Sequence, residues 1–378
     1  MKRFLVCLAV ILLFVAGFDT ACAQVVFGEP PSGHLRFVYQ SWSIDSDVTG
    51  EEYDLSQWYM PIYGFIPVSE NWEIHFQSAS AGSNVDSSGG DASITGLNDT
   101  RVSVLHSLLE DRLLLGLGLN LPTGKATLDP DQTGLAQLLA EEFLSFPSKS
   151  YGEGFGLYLE TVYARSVGRL TYGAGIGYLI NTSYSPIRDV DSYNPGNKLT
   201  IGANAVLRHD YGSAYSYIRH NIYGTSTQDD IDVYEVGPIT EFALGSSFIS
   251  GQFEADAGIR LLLRQADSRL VSGVLEEYEE NNYGNDFRFY SDLGYRLRNI
   301  GKGSILIDYK HVSANGFSEN HDLYVGKSDL FGIGIGFLRA ITNQVEAYGS
   351  IKTMSGSADD ENLDLSGFEL SMFLRVTI

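Results

Sequence analysis

Three features of the sequence predict an all-β chain folded as a transmembrane antiparallel up-and-down β-barrel. Apolar and polar residues alternate one by one in segments of about ten, the length a tilted strand needs to cross a hydrocarbon core. Connections between those segments alternate short with long, as barrel turns and loops do. Glycine, tyrosine and phenylalanine are abundant, at 41, 23 and 20 residues. No apolar run after residue 23 approaches the roughly 20 residues of a spanning helix.

The chain opens on Lys2 and Arg3, an apolar stretch from Phe4 to Phe18, and the small-residue pattern Ala21-Cys22-Ala23. Basic, apolar and small residues in that order mark residues 1–23 as a cleaved secretory signal. Asp19 stands three residues before Cys22, where a lipoprotein signal requires an aliphatic side chain, so lipidation is not expected. Both cysteines, Cys7 and Cys22, fall in this segment, which leaves the mature chain without a thiol for disulfides, soft metals or nucleophilic attack. Residues 24–378 are expected to form a single barrel domain. The net charge of −22 argues against a nucleic-acid partner, because phosphates are bound by clustered Lys and Arg.

Strands are expected near 33–44, 55–66, 71–80, 98–109, 111–121, 152–166, 168–181, 199–210, 212–225, 231–245, 249–264, 286–298, 303–313, 328–339, 342–354 and 366–378. That makes about 16, with 14 as the fallback if segments that are weak or carry Pro61, Pro67 or Pro238 are not strands. The alternation is plain in several of them. Leu113, Leu115, Leu117, Leu119 and Leu121 oppose Gly116, Gly118 and Asn120; Phe253, Ala255, Ala257, Ile259, Leu261 and Leu263 oppose Glu254, Asp256, Gly258, Arg260 and Arg264. One face is apolar, and lipid is the simplest cover for so many such faces. Tight turns are expected at Glu110-Asp111, Val167-Gly168, Tyr211-Gly212, Asn299 to Lys302 and Ala340-Ile341. Long Gly, Asn, Asp and Ser-rich loops are expected around 81–97, 122–151, 182–198, 265–285, 314–327 and 355–365, and the gap at 226–230 breaks the rhythm.

The longest loop, at about 122–151, contains Leu135, Leu138, Leu139, Glu142 and Phe143 at helical spacing, which predicts a short amphipathic helix within Thr133 to Phe146. Its apolar side, Leu135, Leu138, Leu139 and Phe143, either covers the barrel mouth and packs on neighbouring loops or docks an apolar ligand. The last strand alternates Phe368, Leu370, Met372, Leu374, Val376 and Ile378 with Glu369, Ser371, Phe373, Arg375 and Thr377. It resembles the C-terminal recognition strand of outer-membrane barrels, which implies that the barrel-assembly machinery reads it; the usual final aromatic is replaced by Ile378.

The run Gly96-Leu97-Asn98-Asp99-Thr100, then a hairpin, then Leu115-Gly116-Leu117-Gly118-Leu119-Asn120-Leu121-Pro122-Thr123-Gly124-Lys125, resembles outer-membrane transporters associated with phenol-degradation (MetA-pathway) operons. More distantly it is similar to the long-chain fatty-acid transporter barrels. The resemblance covers residues 96 to 145 and implies uptake of small, apolar or aromatic molecules in a bacterial outer membrane. Fatty-acid transporters place a plug before the first strand. Here only Gln24 to Ser32 precede it, so a hatch mechanism is not carried over.

Charged residues on the faces opposite the apolar rows are expected to line the lumen: Glu160, Arg208, Glu254, Asp256, Arg260, Arg264, Arg288, Asp292, Arg296, Asp308, Lys310, Glu346 and Lys352. Neighbouring strands allow acid-base ladders that hold a wet interior, or a lining that selects solutes. Mixed signs argue against strong ion preference. His311 and Ser313 share the parity of Ile305, Ile307 and Tyr309, and His-x-Ser followed by Asn315-Gly316 is similar to the active strand of outer-membrane lipid A deacylases. In such an enzyme serine attacks an ester and histidine is the base; a polar pair at the membrane rim is the plainer reading.

Asp229-Asp230-Asp232 and Asp359-Asp360-Glu361 are solvated charge or weak divalent-ion ligands that bridge to lipopolysaccharide. His34, His75, His106, His209, His220 and His321 lack metal-ligand spacing, and Gly332, Gly334 and Gly336 fall in a strand rather than a phosphate loop, so no metal or cofactor is expected. Three functions remain: a passive channel or transporter for small solutes, a surface or structural barrel acting through acidic loops, and a lipid esterase. The expected partners are outer-membrane lipid and lipopolysaccharide, the assembly machinery and a small solute, and no catalytic role is assigned.

Overall fold

A computed structural model describes residues 31–377 except 88–89, 189–191, 272, 279 and 299. The expected signal segment and Ile378 lie outside the described residues. Sixteen wall positions run in chain order: β1 (Ser32–Ser46), β2 (Glu52–Ser69), β3 (Trp72–Ser87), β4 in two segments (Ala92–Leu97 and Thr100–Leu108), β5 (Leu113–Leu121), β6 (Gly156–Val167), β7 (Leu170–Asn181) and β8 (Lys198–His209). They continue as β9 (Gly212–Tyr223), β10 (Ile239–Ser250), β11 (Phe253–Arg264), β12 (Asp286–Leu297), β13 (Gly301–Val312), β14 (Ser328–Ala340), β15 (Val345–Ala358) and β16 (Leu363–Thr377). Each pairs antiparallel with the next, and β1 closes on β16 from Ser32↔Thr377 to Ser46↔Leu363. Closure leaves no edge strand in the wall.

Pro61 and Pro67 both sit inside β2, and the register slips between Pro67 and Ser69, where a missing N–H interrupts the ladder. The segment bearing Pro61 and Pro67 is therefore a strand, Pro238 stands just ahead of the wall strand that starts at Ile239, and the wall has sixteen positions rather than fourteen. Alternation sets the faces. Leu115, Leu117 and Leu119 on β5, Phe242, Leu244 and Phe248 on β10, and Ile333, Ile335 and Phe337 on β14 are all exposed outward. Such a continuous apolar exterior is the surface of a membrane-spanning barrel. Inside, Tyr215 of β9 lies over Gly245, Tyr290 of β12 lies over Gly258, and the two hydroxyls meet across β10 and β11. A Cβ on Gly245 would sit 2.4 Å from the Tyr215 ring, so only glycine lets the ring lie against the wall there.

Four expectations are corrected. The strand read at 231–245 is split: the wall strand is β10, and Ile231–Glu235 belongs to a separate sheet with Ser226–Gln228, Tyr193–Asn194, Ser268–Val271 and Val274–Glu277. Asp229 and Asp230 form the left-handed turn of its hairpin, a conformation Asp tolerates. The connection from β9 to β10 is thus 224–238, a long loop, and the break in rhythm disappears. The connections expected long at 81–97 and 355–365 are mostly strand, because β3, β4, β15 and β16 zip past the apolar belt on Ser and Asp-rich sequence. Finally, the loop helix α1 spans only Thr133–Ala140 and does not reach Glu142 or Phe143.

Candidate functional site

The longest connection, 122–155 between β5 and β6, folds into the barrel and crosses it. Its two ends are tied by one carboxylate. Asp99 sits in the break of β4, where one extra residue against β3 switches the inward parity from even in Ala92–Leu97 to odd in Thr100–Leu108. The Asp99 carboxylate accepts from Gly124 N–H at 2.9 Å, Asn120 Nδ2 at 3.1 Å and Glu153 N–H at 2.7 Å. Thr123 Oγ1 accepts from Thr100 N–H at 2.9 Å. A Cβ on Gly124 would stand 2.1 Å from the Tyr151 carbonyl oxygen, so glycine is required there. The Asn98-Asp99-Thr100 and Pro122-Thr123-Gly124 runs, far apart in sequence, are therefore two halves of one knot.

From the knot the chain runs into α1, whose Leu135 and Leu139 are 2% and 1% exposed. With Leu144, Phe146 and Tyr151 they pack on inward side chains of the wall: Trp42 and Ile44 of β1, Leu55 of β2, Ala81 and Val85 of β3, Ile94 of β4, Leu330 of β14 and Leu365 of β16. Leu138 and Phe143 are half-buried on the same cluster. The apolar side of α1 is consumed by the wall, which is where its four named residues go. Burying large apolar side chains stabilises by about 1.5 to 3 kcal/mol each. Buried amides fix the register. Gln40 Nε2 donates to Leu144 O at 2.7 Å, and Trp42 Nε1 donates to the same oxygen at 3.0 Å. Gln57 donates to Ser148 O at 2.8 Å and accepts from Ser148 N–H at 2.8 Å. Ser83 Oγ and Tyr151 OH share a bond of 2.7 Å.

The other side of the loop is held by charge. Glu142 pairs with Lys149 at 2.7 Å within the loop and with Arg264 of β11 at 3.2 Å. Lys310 of β13 donates to the Glu142 carbonyl and, at 2.8 Å, to Ser145 Oγ, and it pairs with Asp286 of β12 at 3.3 Å. Since β3 and β11 are eight places apart on a ring of sixteen, the loop bridges opposite walls. Burial opposes ionisation of Glu142, but Lys149, Arg264 and Lys310 outweigh it and hold the carboxyl below its ordinary 4.5. Its neighbour Glu141 is shifted the other way, upward, by burial and by the Glu142 charge.

Around this bridge the other expected charges fall on the inward parity and largely pair with one another. Arg288 meets Asp308 at 2.5 Å, and Lys352 meets Glu369 at 3.4 Å. Glu254 takes Arg296, while Lys302 stands 3.7 Å from Glu254 and 3.6 Å from Asp292. Asp256 stands directly across from Asp292 in the ladder. Arg260 meets Glu241 at 2.7 Å, and Glu241 also holds Arg219 and accepts from Tyr217 OH at 2.5 Å. Glu160 folds over Gly116, Arg208 stands across from Ser213, and Glu346 across from Arg375. Glu241, Arg219, Asp286, Lys302 and Glu369 were missed although the same alternation marks them. Gln40, Trp42, Gln57 and Glu142 carry no local signal.

The esterase constellation does not assemble. His311 Nδ1 bonds Asp329 at 2.8 Å, an oxygen that also accepts from Tyr309 OH at 2.6 Å. Ser313 lies beyond the end of β13, donates to Ala314 O at 3.2 Å and accepts from Asn285 N–H at 2.9 Å. Among the described residues no hydrogen bond joins His311 to Ser313. Asp359 and Asp360 receive the backbone N–H groups of Gly326 and Lys327 at 2.7 and 3.2 Å, so that acidic cluster ties two loops together.

No protein-family profile matches the chain, and no curated protein matches it in sequence. Among solved structures, a Pseudomonas aeruginosa FadL homologue aligns over 93% of this chain and 91% of its own at 8% identity, with a TM-score of 0.45. Pseudomonas aeruginosa OccK7 (OpdD) aligns over 92% of this chain and 99% of its own at 11% identity and TM-score 0.48. The CymD monoaromatic hydrocarbon channel covers 96% of each chain at 12% identity and TM-score 0.41.

Proposed function

We propose that the protein is a bacterial outer-membrane channel that passes small solutes by passive diffusion, through a lumen narrowed by the 122–155 loop. The supporting observation is that loop's path across the barrel, knotted at Asp99 and anchored on Gln57 and Ser83 at one wall and on Arg264 and Lys310 at the other. A barrel needed only as a scaffold has no use for a loop strung from wall to wall inside its loop-bearing end, where Arg264 ends β11 and Lys310 nearly ends β13. The inward charges form the lining, and their pairing with opposite signs fits weak ion preference. In this reading the long loops face outward from the cell, lipid and lipopolysaccharide cover the wall, and β16 is the strand the assembly machinery engages. An apolar or aromatic solute class follows from the sequence resemblance over 96 to 145. Purified protein in planar bilayers should conduct, and liposomes carrying it should admit small aromatic solutes. Bilayers that stay silent to ions, together with liposomes that exclude every small solute offered, would count against it.

One observation favours a surface role as the second reading: three long loops build the five-stranded sheet at one end of the barrel. Adhesion or partner binding lost on deleting 226–235, with permeability intact, would support it.

A further inference from the structure

On the inner wall, acid faces acid between β11 and β12. Asp256 lies directly across from Asp292, and like charges in that relation repel. Asp256 is 9% exposed and Asp292 3%, so both carboxylates are withdrawn from water, where an uncompensated charge is costly. Their neighbours give little relief. Ser247, across from Asp256 on β10, is bonded to Ser213, and Leu306, across from Asp292 on β13, is aliphatic. Arg296 is taken by Glu254. Lys302, whose arm runs over Gly294, stands 3.6 Å from Asp292 and 3.7 Å from Glu254. Both carboxylate oxygens of Asp292 and Oδ1 of Asp256 are buried without a hydrogen-bond partner. So is the hydroxyl of Ser304 on β13, a residue 6% exposed that faces Gly294, two positions from Asp292.

We propose that Asp256, Asp292 and Ser304 hold a hard divalent cation of the calcium class on the inner wall, in the half of the barrel nearer the short turns. Every unpartnered atom in the group is an oxygen, and hard cations are bound through oxygen. The Ser304 hydroxyl is a signal separate from the two acids, because a buried hydroxyl that bonds nothing costs free energy unless something else takes it up. Charge agrees: Glu254, Asp256 and Asp292 outnumber Arg296 and Lys302 by one, and a divalent cation reverses that excess. Among the described residues no group of three or more His, Asp or Glu side chains is placed to share one ion, so two carboxylates and a hydroxyl leave the rest of the shell to solvent. Such an open site binds with a Kd of about 10⁻⁴ to 10⁻³ M. The site does not depend on conduction; in the channel reading it adds positive charge to the lining.

The test uses the chain refolded without metal in phosphatidylcholine vesicles, whose headgroups carry no net charge, and titrated with Ca²⁺ by calorimetry. Wild type should take one Ca²⁺ per chain, and Ca²⁺ should raise its resistance to urea. Asp256→Asn and Asp292→Asn should each weaken binding about tenfold and Ser304→Ala about threefold. Asp359→Asn, in an acidic loop, should bind as wild type does. In chelator the two Asn variants should be at least as stable as wild type, because they remove the repulsion; a loss of stability there would mark the acids as structural and overturn the site. Wild type that takes no Ca²⁺ overturns it too, as does binding that survives both Asn substitutions or disappears with Asp359→Asn. Should an Asn variant fail to refold, the wild-type and Ser304→Ala titrations decide. Ca²⁺ bound by a barrel that never conducts upholds the site and removes the channel reading.

Discussion

Gln57 shows how much one side chain can organise when both its amide atoms are buried against backbone. It is fully buried in the wall of β2 and satisfies both backbone groups of Ser148, a residue on the far side of the sequence gap, while its amide also reaches Ser83 Oγ at 2.9 Å. Truncation would strand a buried N–H and C=O, at about 1 to 3 kcal/mol for each unsatisfied group. Gln57→Ala should therefore leave the barrel heat-modifiable but expose Lys149 to trypsin, read as cleavage after Lys149. A variant as resistant as wild type would show that Gln57 does not anchor the loop. Nothing in the residues around Gln57 announces this role, because polar inward positions are ordinary in a barrel. Asp99 and Gly124 were closer to legible: they stand in a sequence motif, although only the fold reveals that the motif is a knot.

At the level of elements, the wall and the loop bridge are nearly independent. β5 and β6 pair from Leu113↔Tyr163 to Asn120↔Gly156 without help from the 122–155 insertion, and loop closure entropy grows slowly with length. Replacing residues 125–152 with a short Gly-Ser turn should yield a barrel with unchanged strand content by circular dichroism and a higher conductance. Equal conductance would mean that the bridge does not limit passage. The end of α1 at Ala140 is a case where tertiary contacts overrode the periodic pattern. Leu135, Leu138, Leu139, Glu142 and Phe143 keep helical spacing, yet Glu142 is drawn to Arg264 and Lys149, and the Leu144 carbonyl is captured by Gln40 and Trp42, which a continued helix would not permit.

For the whole molecule, the decisive property is which medium wets the outer wall. Leu117 is 50% exposed in a row of outward leucines on β5. Leu117→Arg should destabilise the barrel by about 2 to 4 kcal/mol if that row lies at the membrane midplane. In water it would be nearly neutral. Folding titrations in lipid vesicles measure the difference, and no loss of stability would contradict a lipid-covered exterior. The overall charge of −22 does not carry over to the interior, where Arg and Lys from β9 to β15 meet the acids one by one. Whole-chain charge therefore says little about the selectivity of the lumen.

Period-two alternation, turn residues and the parity of charged side chains were legible in the sequence itself, because each is a property of neighbours along the chain. They sufficed for the sixteen-position wall and its outward apolar rows. The one wall strand misplaced, at 231–245, failed because an exposed hairpin in a loop alternates as a wall strand does. Where the longest loop goes was decided only by the tertiary structure. Its anchors join Gln40 to Leu144 and Gln57 to Ser148 across about a hundred residues, and Glu142 to Arg264 across more. Contacts of that separation leave no periodicity behind; they exist only once the ring has closed and brought opposite walls within reach of one loop.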